Sequence, residues 1–194
     1  SDLLGNTIGN AIEIKEAIET LKGHGPKDFT ELCMQAAEIM LMQGKVAENK
    51  EEARKMLEEV VASGKAFETF KDMVKAQGGN VDMIENPELL PQSKFKTEIK
   101  SEESGDVEVL HSERLGVLAM QLGAGRETKE QDVNHAVGLE LACKRGDKVN
   151  KGDTICIVYH DEELKPQWVE ELYHAFELTN EEVAPQPIIE KVLS

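Results

Sequence analysis

Residues 134–160, NHAVGLELACKRGDKVNKGDTICIVYH, decide the fold class. Val137, Leu139 and Leu141 alternate with Gly138, Glu140 and Ala142, the period-2 pattern of a strand with one buried face. From Thr154 to His160 the residues Ile155, Cys156, Ile157, Val158 and Tyr159 run without a polar break. Such a β-branched run suits a strand covered on both faces. Between the runs lie two Gly-Asp pairs, Gly146-Asp147 and Gly152-Asp153. Glycine reaches positive φ and aspartate bonds nearby amides, so each pair predicts a turn. The phrase Gly-Asp-x-Val-x-Lys-Gly-Asp therefore predicts turn, short strand, turn, strand, as in small β modules of the barrel-sandwich kind. A lipoyl or biotinyl carrier would need a lysine in a Met-Lys-Met or Asp-Lys-Ala setting at a hairpin tip. Lys144, Lys148 and Lys151 have neither neighbour set, which removes that reading.

Upstream the period changes. Ala11, Ile14, Ile18 and Leu21 recur at helical spacing over 11–22, behind a glycine-rich stretch, 1–9, predicted as a loop, with Asn10 placed as N-cap. Gly23 and Gly25-Pro26 end that helix. Asp28 with Glu31 reads as a capping box for a second helix, whose Phe29, Leu32, Cys33, Ala36, Ala37, Ile39, Met40 and Leu41 predict extensive burial. Asn49 with Glu52 opens a third helix along Ala53, Met56, Leu57, Val60 and Val61, and residues 66–77 make a fourth. Four helices joined by short links predict an antiparallel cluster.

Beyond Gly79 the punctuation shifts to Asn86-Pro87 and Leu90-Pro91, which disfavour helix. A boundary in the low eighties follows, with domains over 1–82 and 83–194. The second contains strands around Phe95–Ile99 and Val107–Val109 and a short helix over 115–122 closed by Gly123-Ala124-Gly125. A helix over 166–178 and a last strand in 188–193 complete it. The predicted class is α+β.

Composition narrows function. With 38 acidic against 22 basic side chains the net charge is −16, which opposes phosphate-backbone contacts and hence nucleic-acid binding. No window approaches a membrane span and no secretory signal is visible, so a cytoplasmic protein with no membrane partner is expected. Cys33, Cys143 and Cys156 are widely spaced and read as reduced structural thiols. None of His24, His111, His135, His160 and His174 stands in a zinc spacing, and no nucleophile elbow, phosphate loop or His-Glu-x-x-His occurs. Gly5 to Gly9 could serve an anion or simply turn the chain. Glu16 reads first as a solvated charge, and Gly123-Ala124-Gly125-Arg126 first as a helix stop with a solvated arginine, a functional part being the alternative for each.

Taken together, the segment Gly9-Asn10-Ala11-Ile12-Glu13-Ile14-Lys15-Glu16-Ala17-Ile18 through Gly23 resembles the stretch after the glycine-rich turn of pyrimidine-nucleoside and thymidine phosphorylases. Asp28–Leu32, Ala62-Ser63-Gly64-Lys65-Ala66, Gln77-Gly78-Gly79, Leu122-Gly123-Ala124-Gly125-Arg126 and Ala136-Val137-Gly138 fall in the same order, as does the Gly-Asp repeat. The resemblance runs along nearly the whole chain and covers the C-terminal part, less than half, of a family member. It implies a helical remnant of a large α/β phosphorylase domain, followed by a mixed α/β C-terminal domain with a hammerhead-like arrangement. Family members split a pyrimidine nucleoside with phosphate into base and (deoxy)ribose 1-phosphate. Their phosphate-holding Lys-x-Ser and glycine-rich loop, and the Arg, Ser and Lys that grip the base, precede the matched part, and no position here corresponds to them. The resemblance therefore places no catalytic or substrate-binding residue in this chain, and implies that the chain alone is inactive. It implies a potassium or calcium site using the carboxylate of Glu16 with carbonyls of Leu4 and Thr7, incomplete here, and no organic cofactor. It assigns Gly123, Ala124, Gly125 and Arg126 to a segment that moves as the cleft closes. Family members are homodimers through N-terminal helices, so a monomer is expected for this chain. Two departures stand out: Leu3 replaces a usual proline, and Asn134-His135 replaces an acidic or apolar pair. The first residue is Ser1 rather than Met, which gives the expectation of a fragment; the competing expectation is a stand-alone, non-catalytic interaction or regulatory module on the same fold.

Overall fold

The structure, a computed structural model, describes residues 3–126, 128–184 and 187–189. It is α+β and divides into two compact units. One comprises the described residues of Ser1–Ile14 and Leu90–Gln186, the other those of Lys15–Leu89 and Pro187–Ser194.

The first unit carries two antiparallel sheets. The larger is built from β1 (Thr7–Gly9), β2 (Phe95–Lys100), β4 (Gly138–Leu141) and β6 (Thr154–His160), in the order β1-β4-β6-β2. The smaller is built from β3 (Gly105–Leu110), β5 (Lys148–Val149) and β7 (Phe176–Thr179), in the order β5-β3-β7. The Gly-Asp repeat performs as its residues predict. Gly146 and Gly152 take φ of 88° and 92°. Asp147 Oδ2 accepts from the Lys144 amide and Asp153 Oδ2 from the Asn150 amide, both at 2.8 Å. Each aspartate thus closes its own turn, and the two residues between the turns become β5.

β6 is central rather than wholly enclosed. Ile155, Cys156, Val158 and His160 are buried, while Ile157 and Tyr159 are half-buried. The core gathers Leu139 and Leu141 of β4, Cys156 and Val158 of β6 and Val107 of β3. Against them pack Leu115 and Leu118 of helix α6 (Ser112–Ala119) and Trp168 and Leu172 of helix α7 (Pro166–His174).

Three expectations for this unit need correction. Residues 7–9 are a strand, not loop, because Gly9 and Gly138 lack the Cβ that would keep their backbones apart. A Cβ on Gly138 would stand 2.4 Å from the Ile8 carbonyl oxygen, and one on Gly9 2.9 Å from that of Val137. The helix expected over 166–178 stops at His174, and Phe176 to Thr179 pair with β3 instead. Edge pairing decides this, since Phe176 and Leu178 also alternate at strand period. The helix expected over 115–122 starts earlier and ends in a wider π turn, Met120–Ala124, broken by Gly123 at φ 108°. The strand expected in 188–193 falls mostly outside the described residues.

The second unit is helical. Helix α1 (Ala11–Leu21) leads into it, followed by α2 (Lys27–Gln43), α3 (Lys50–Ala62), α4 (Lys65–Ala76) and a short α5 (Val81–Glu85), which the residue pattern had not suggested. Asn49 caps α3 as expected: its side chain accepts from the Glu52 amide at 2.9 Å, and Glu52 Oε2 accepts from the Glu48 amide at 2.7 Å. The box expected at Asp28 does not open α2. Pro26 stands at that N-cap without a side-chain bond, so Asp28 sits inside the first turn and Glu31 turns elsewhere. Glu31 and the buried Glu38 both accept from Arg54 of α3, in a bidentate bond to Glu31 at 2.7 and 2.9 Å and a close contact to Glu38. The expected burial of α2 is thereby inverted. The side chain it buries best is Glu38, whereas Cys33, Ala36, Ile39 and Met40 are exposed. The three cysteines are free thiols, and Cys33 is exposed while Cys143 and Cys156 are buried.

Candidate functional site

The glycine-rich segment after α6 is positioned from two sides within the sheet unit. Asn10, at the start of α1, donates its side-chain amide to the Ala124 carbonyl at 2.8 Å. From the other side the Asn134 amide donates to the Gly123 carbonyl at 2.8 Å. Gly123 needs its φ of 108° to make that reversal, a conformation that disfavours any side chain. Asn134 is itself anchored. Its side chain accepts from the Ala136 amide at 3.0 Å and donates to Asp161 Oδ2 at 2.6 Å. Asp161 Oδ1 accepts from the Lys94 amide at 2.7 Å. The Asn134 side chain first, then the Lys94 amide, hold the Asp161 carboxyl below its ordinary range, since both bond the charged form. Arg126, at the end of the segment, is exposed.

Beside this segment lies a cleft of about 420 Å³ lined by Gly9, Asn10, Ala11, Glu13, Ile14, Leu90, Pro91 and His135. Two features fix its inner wall: the Ala11 amide donates to the His135 carbonyl at 3.0 Å, and Glu13 Oε1 accepts from the Gly9 amide at 2.8 Å. Neither lysine nor arginine lines this cleft. An anion such as phosphate would meet one carboxylate there and no fixed cation. A second cleft, of about 790 Å³, runs along α6 and α7, where Arg114 is paired with Glu171 at 2.9 Å and His111 with Glu177 at 2.5 Å.

Leu4 and Thr7 lie in the sheet unit and Glu16 in the helical one. Leu4 is exposed, and Thr7 has its hydroxyl oxygen buried without a hydrogen-bond partner. Among the described residues no three His, Cys, Asp or Glu side chains gather as a metal site. Two groups that invite a catalytic reading are structural. His160 is buried, its Nδ1 donating to the Glu162 carbonyl at 2.6 Å and its Nε2 2.8 Å from the Thr97 hydroxyl. Tyr159 donates to Glu140 Oε2 at 2.6 Å, and burial and that carboxylate together push its phenol upward, away from reactivity near neutral pH.

Residue patterns missed how Asn10 and Asn134 act. Asn10 was placed as a cap, and its reach to Ala124, 114 positions along the chain, has no local signature.

Residues 107–179 match the family model described as Pyrimidine nucleoside phosphorylase C-terminal domain. The pyrimidine-nucleoside phosphorylase of Bacillus subtilis (strain 168) is 42% identical over 188 residues, which is 97% of this chain and 43% of that protein. That of Geobacillus stearothermophilus is 42% identical over 193 residues, 99% of this chain and 45% of that protein. That of Staphylococcus aureus (strain N315) is 42% identical over 191 residues, 98% of this chain and 44% of that protein. The chain thus spans less than half the length of the curated relatives it matches. Among the described residues no helix is long and apolar enough to cross a membrane. Almost the entire chain is thus similar to a C-terminal part of pyrimidine-nucleoside phosphorylases, and residues 107–179 match the model of their C-terminal domain.

Proposed function

We propose that the chain is the C-terminal portion of a cytoplasmic enzyme that cleaves a pyrimidine nucleoside with phosphate to free base and a sugar 1-phosphate. Its sheet unit contributes one wall of the cleft, and Gly123–Arg126 is the segment that shifts on closure. The observation that carries this is the reach of the likeness: 42% identity over 97% of the chain, confined to 43% of the Bacillus subtilis relative. The hinge-like Gly123 at φ 108°, held by single hydrogen bonds from Asn10 and Asn134, supports the closure role. Developing charge between sugar and base requires fixed cations and donors, and the cleft beside this segment carries neither lysine nor arginine. Phosphorolysis by this chain alone is therefore not expected. Incubating the purified chain with phosphate and uridine or thymidine tests this, and release of free base in proportion to added chain would refute it.

The oxygen set of Leu4, Thr7 and Glu16 belongs to the same proposal as part of a potassium or calcium site. The set is the Glu16 carboxylate with the Leu4 and Thr7 carbonyls, and as an incomplete set it should bind weakly. Calorimetric titration showing tight, selective uptake of either ion would overturn the incomplete-site reading. The parent enzyme is proposed to be a homodimer, with this chain by itself a monomer.

A further inference from the structure

Between the π turn and β4 the described residues of 125–137 form neither helix nor strand, so Asn134 has no ladder of its own to hold it. Asp161 is mounted differently. It follows His160, the last residue of β6, which is buried, pairs with Phe95 of β2 and stacks on its ring at 5.4 Å. The bond from the Lys94 amide to Asp161 Oδ1 carries that strand pairing one step further. Asp161 Oδ2 therefore stands at the end of two paired strands, and there it takes the Asn134 side-chain amide at 2.6 Å. Dependence runs from the sheet through Asp161 to Asn134, and from the Asn134 backbone amide to the Gly123 carbonyl at 2.8 Å.

The two positions ask for different side chains. At 134 the side chain accepts from the Ala136 amide and donates to a carboxylate, which a carboxamide can do and a carboxylate cannot. At 161 it accepts twice, from Asn134 and from the Lys94 amide, which a carboxylate can do and a carboxamide cannot. Carboxylates at both positions would set like charges against each other, and carboxamides at both would leave one pair of donors face to face. Exchanging the two groups satisfies every bond again. A carboxylate at 134 would accept from the Ala136 amide and from a carboxamide at 161, whose oxygen would take the Lys94 amide. Asn134 is also among the positions where the chain departs from the family it resembles. We propose that Asp161 is a positioning residue for Gly123–Arg126: acting through Asn134 it sets where that segment rests, the two side chains working as one matched latch. The latch bears on cleft closure only through the reading of Gly123–Arg126 as the segment that shifts; a shift must then open the bond from Asn134 to Gly123 or the one from Asn134 to Asp161.

Amide hydrogen exchange, resolved by NMR in the full chain near neutral pH, reads each bond at its own donor. The residue-94 amide reports on Asp161, the residue-136 amide on the Asn134 side chain, and the residue-134 amide on the hold over Gly123. Asn134→Asp should speed exchange at the residue-134 amide about tenfold, and Asp161→Asn about threefold, since each loses bonds to a charged or fixed partner. The double variant Asn134→Asp/Asp161→Asn should return all three amides to within about twofold of the unaltered chain, because every donor again meets an acceptor. Residue-134 exchange unchanged in Asn134→Asp would overturn the proposal, even if the Trp168 melt moved. A double variant no better protected than the worse single one would overturn it too, since the side chains would then act separately. If Asn134→Asp speeds core amides such as those of Leu139 and Val158 equally, the whole unit is opening, and the milder Asp161→Asn against the double variant decides. None of these readings depends on phosphorolysis, so a failed latch leaves the enzymatic proposal standing, and absent activity leaves the latch standing.

Discussion

Replacing Gly138 by alanine should detach β1 from the larger sheet. The added Cβ would stand 2.4 Å from the Ile8 carbonyl oxygen and 2.7 Å from Ile12 Cδ1. The first contact is backbone, so no rotamer change relieves it, and the Thr7–Gly9 pairing must open. Forced overpacking costs about 1–3 kcal/mol, and a rigid backbone neighbour puts this site near the top of that range. For a unit of this size about 3 kcal/mol lowers the melting temperature by roughly 10 °C or more. Gly116→Ala is the matched comparison. It lies inside α6 with nothing within 4 Å of the new Cβ, and should instead add about 0.5–1 kcal/mol through helix propensity. Trp168 is the one tryptophan and is buried in the sheet-unit core, so its fluorescence follows this unit and not the helices. Thermal and urea melts of the three chains, read by that signal, decide the matter. Gly138→Ala melting together with the unaltered chain, or Gly116→Ala melting below it, would refute the packing argument.

Arg54→Ala should destabilise the helical unit by about 2–3 kcal/mol, because it leaves the buried Glu38 and the neighbouring Glu31 without their cation; helix loss followed by circular dichroism in urea measures it. Asp161 gives a pH dependence of defined sign. Its folded carboxyl is held below the ordinary range by Asn134 and the Lys94 amide, so its stabilisation is fully present above about pH 4, the unfolded value, and fades as the pH falls through the depressed one. Asp161→Asn should flatten that acid limb of the Trp168 melt, and an unchanged limb would count against it. Of the three thiols, Cys33 alone should react with a disulfide reagent near pH 8 before denaturation. Burial pushes the Cys143 thiol up to about 12 and raises that of Cys156 as well, so a count of two or more fast thiols would contradict the core. Asn10→Ala should speed amide exchange at 123–126 without moving the core melt, since it removes one of the two bonds that hold the segment.

The local devices were legible in the residues. The Gly-Asp repeat and the Asn49–Glu52 cap each complete themselves within a few positions, so sequence spacing carries all the information they need. The β1 strand, the Phe176–Thr179 strand and the Asn10–Ala124 bond were not legible, because each is decided by a partner far along the chain. A three-residue strand has no period to detect, and Phe176 to Thr179 satisfies both periods until β3 chooses between them. The inversion of α2 failed for a different reason. Apolar content predicts that a face will be covered, yet the bonds of Glu31 and Glu38 to Arg54 turn the charged face toward α3 instead. Of the proposed site, Gly123–Arg126 stands out in the sequence only through resemblance, while what anchors that segment is Asn134 with Asp161, two polar residues without a pattern.

The pairing of β1 with β4 has a bearing on how the molecule can be shortened. Thr7–Gly9 is an outermost strand of the larger sheet, and it is encoded before the helices, while the strand it shields is encoded after them. Cleaving the polypeptide in the low eighties would sever covalent continuity between the two. Once β1 departs, the amides and carbonyls of Gly138–Leu141 on that side lose their partners and offer a template to other molecules. A truncated β-rich piece should therefore precipitate or form oligomers unless a peptide covering residues 3–14 is supplied with it.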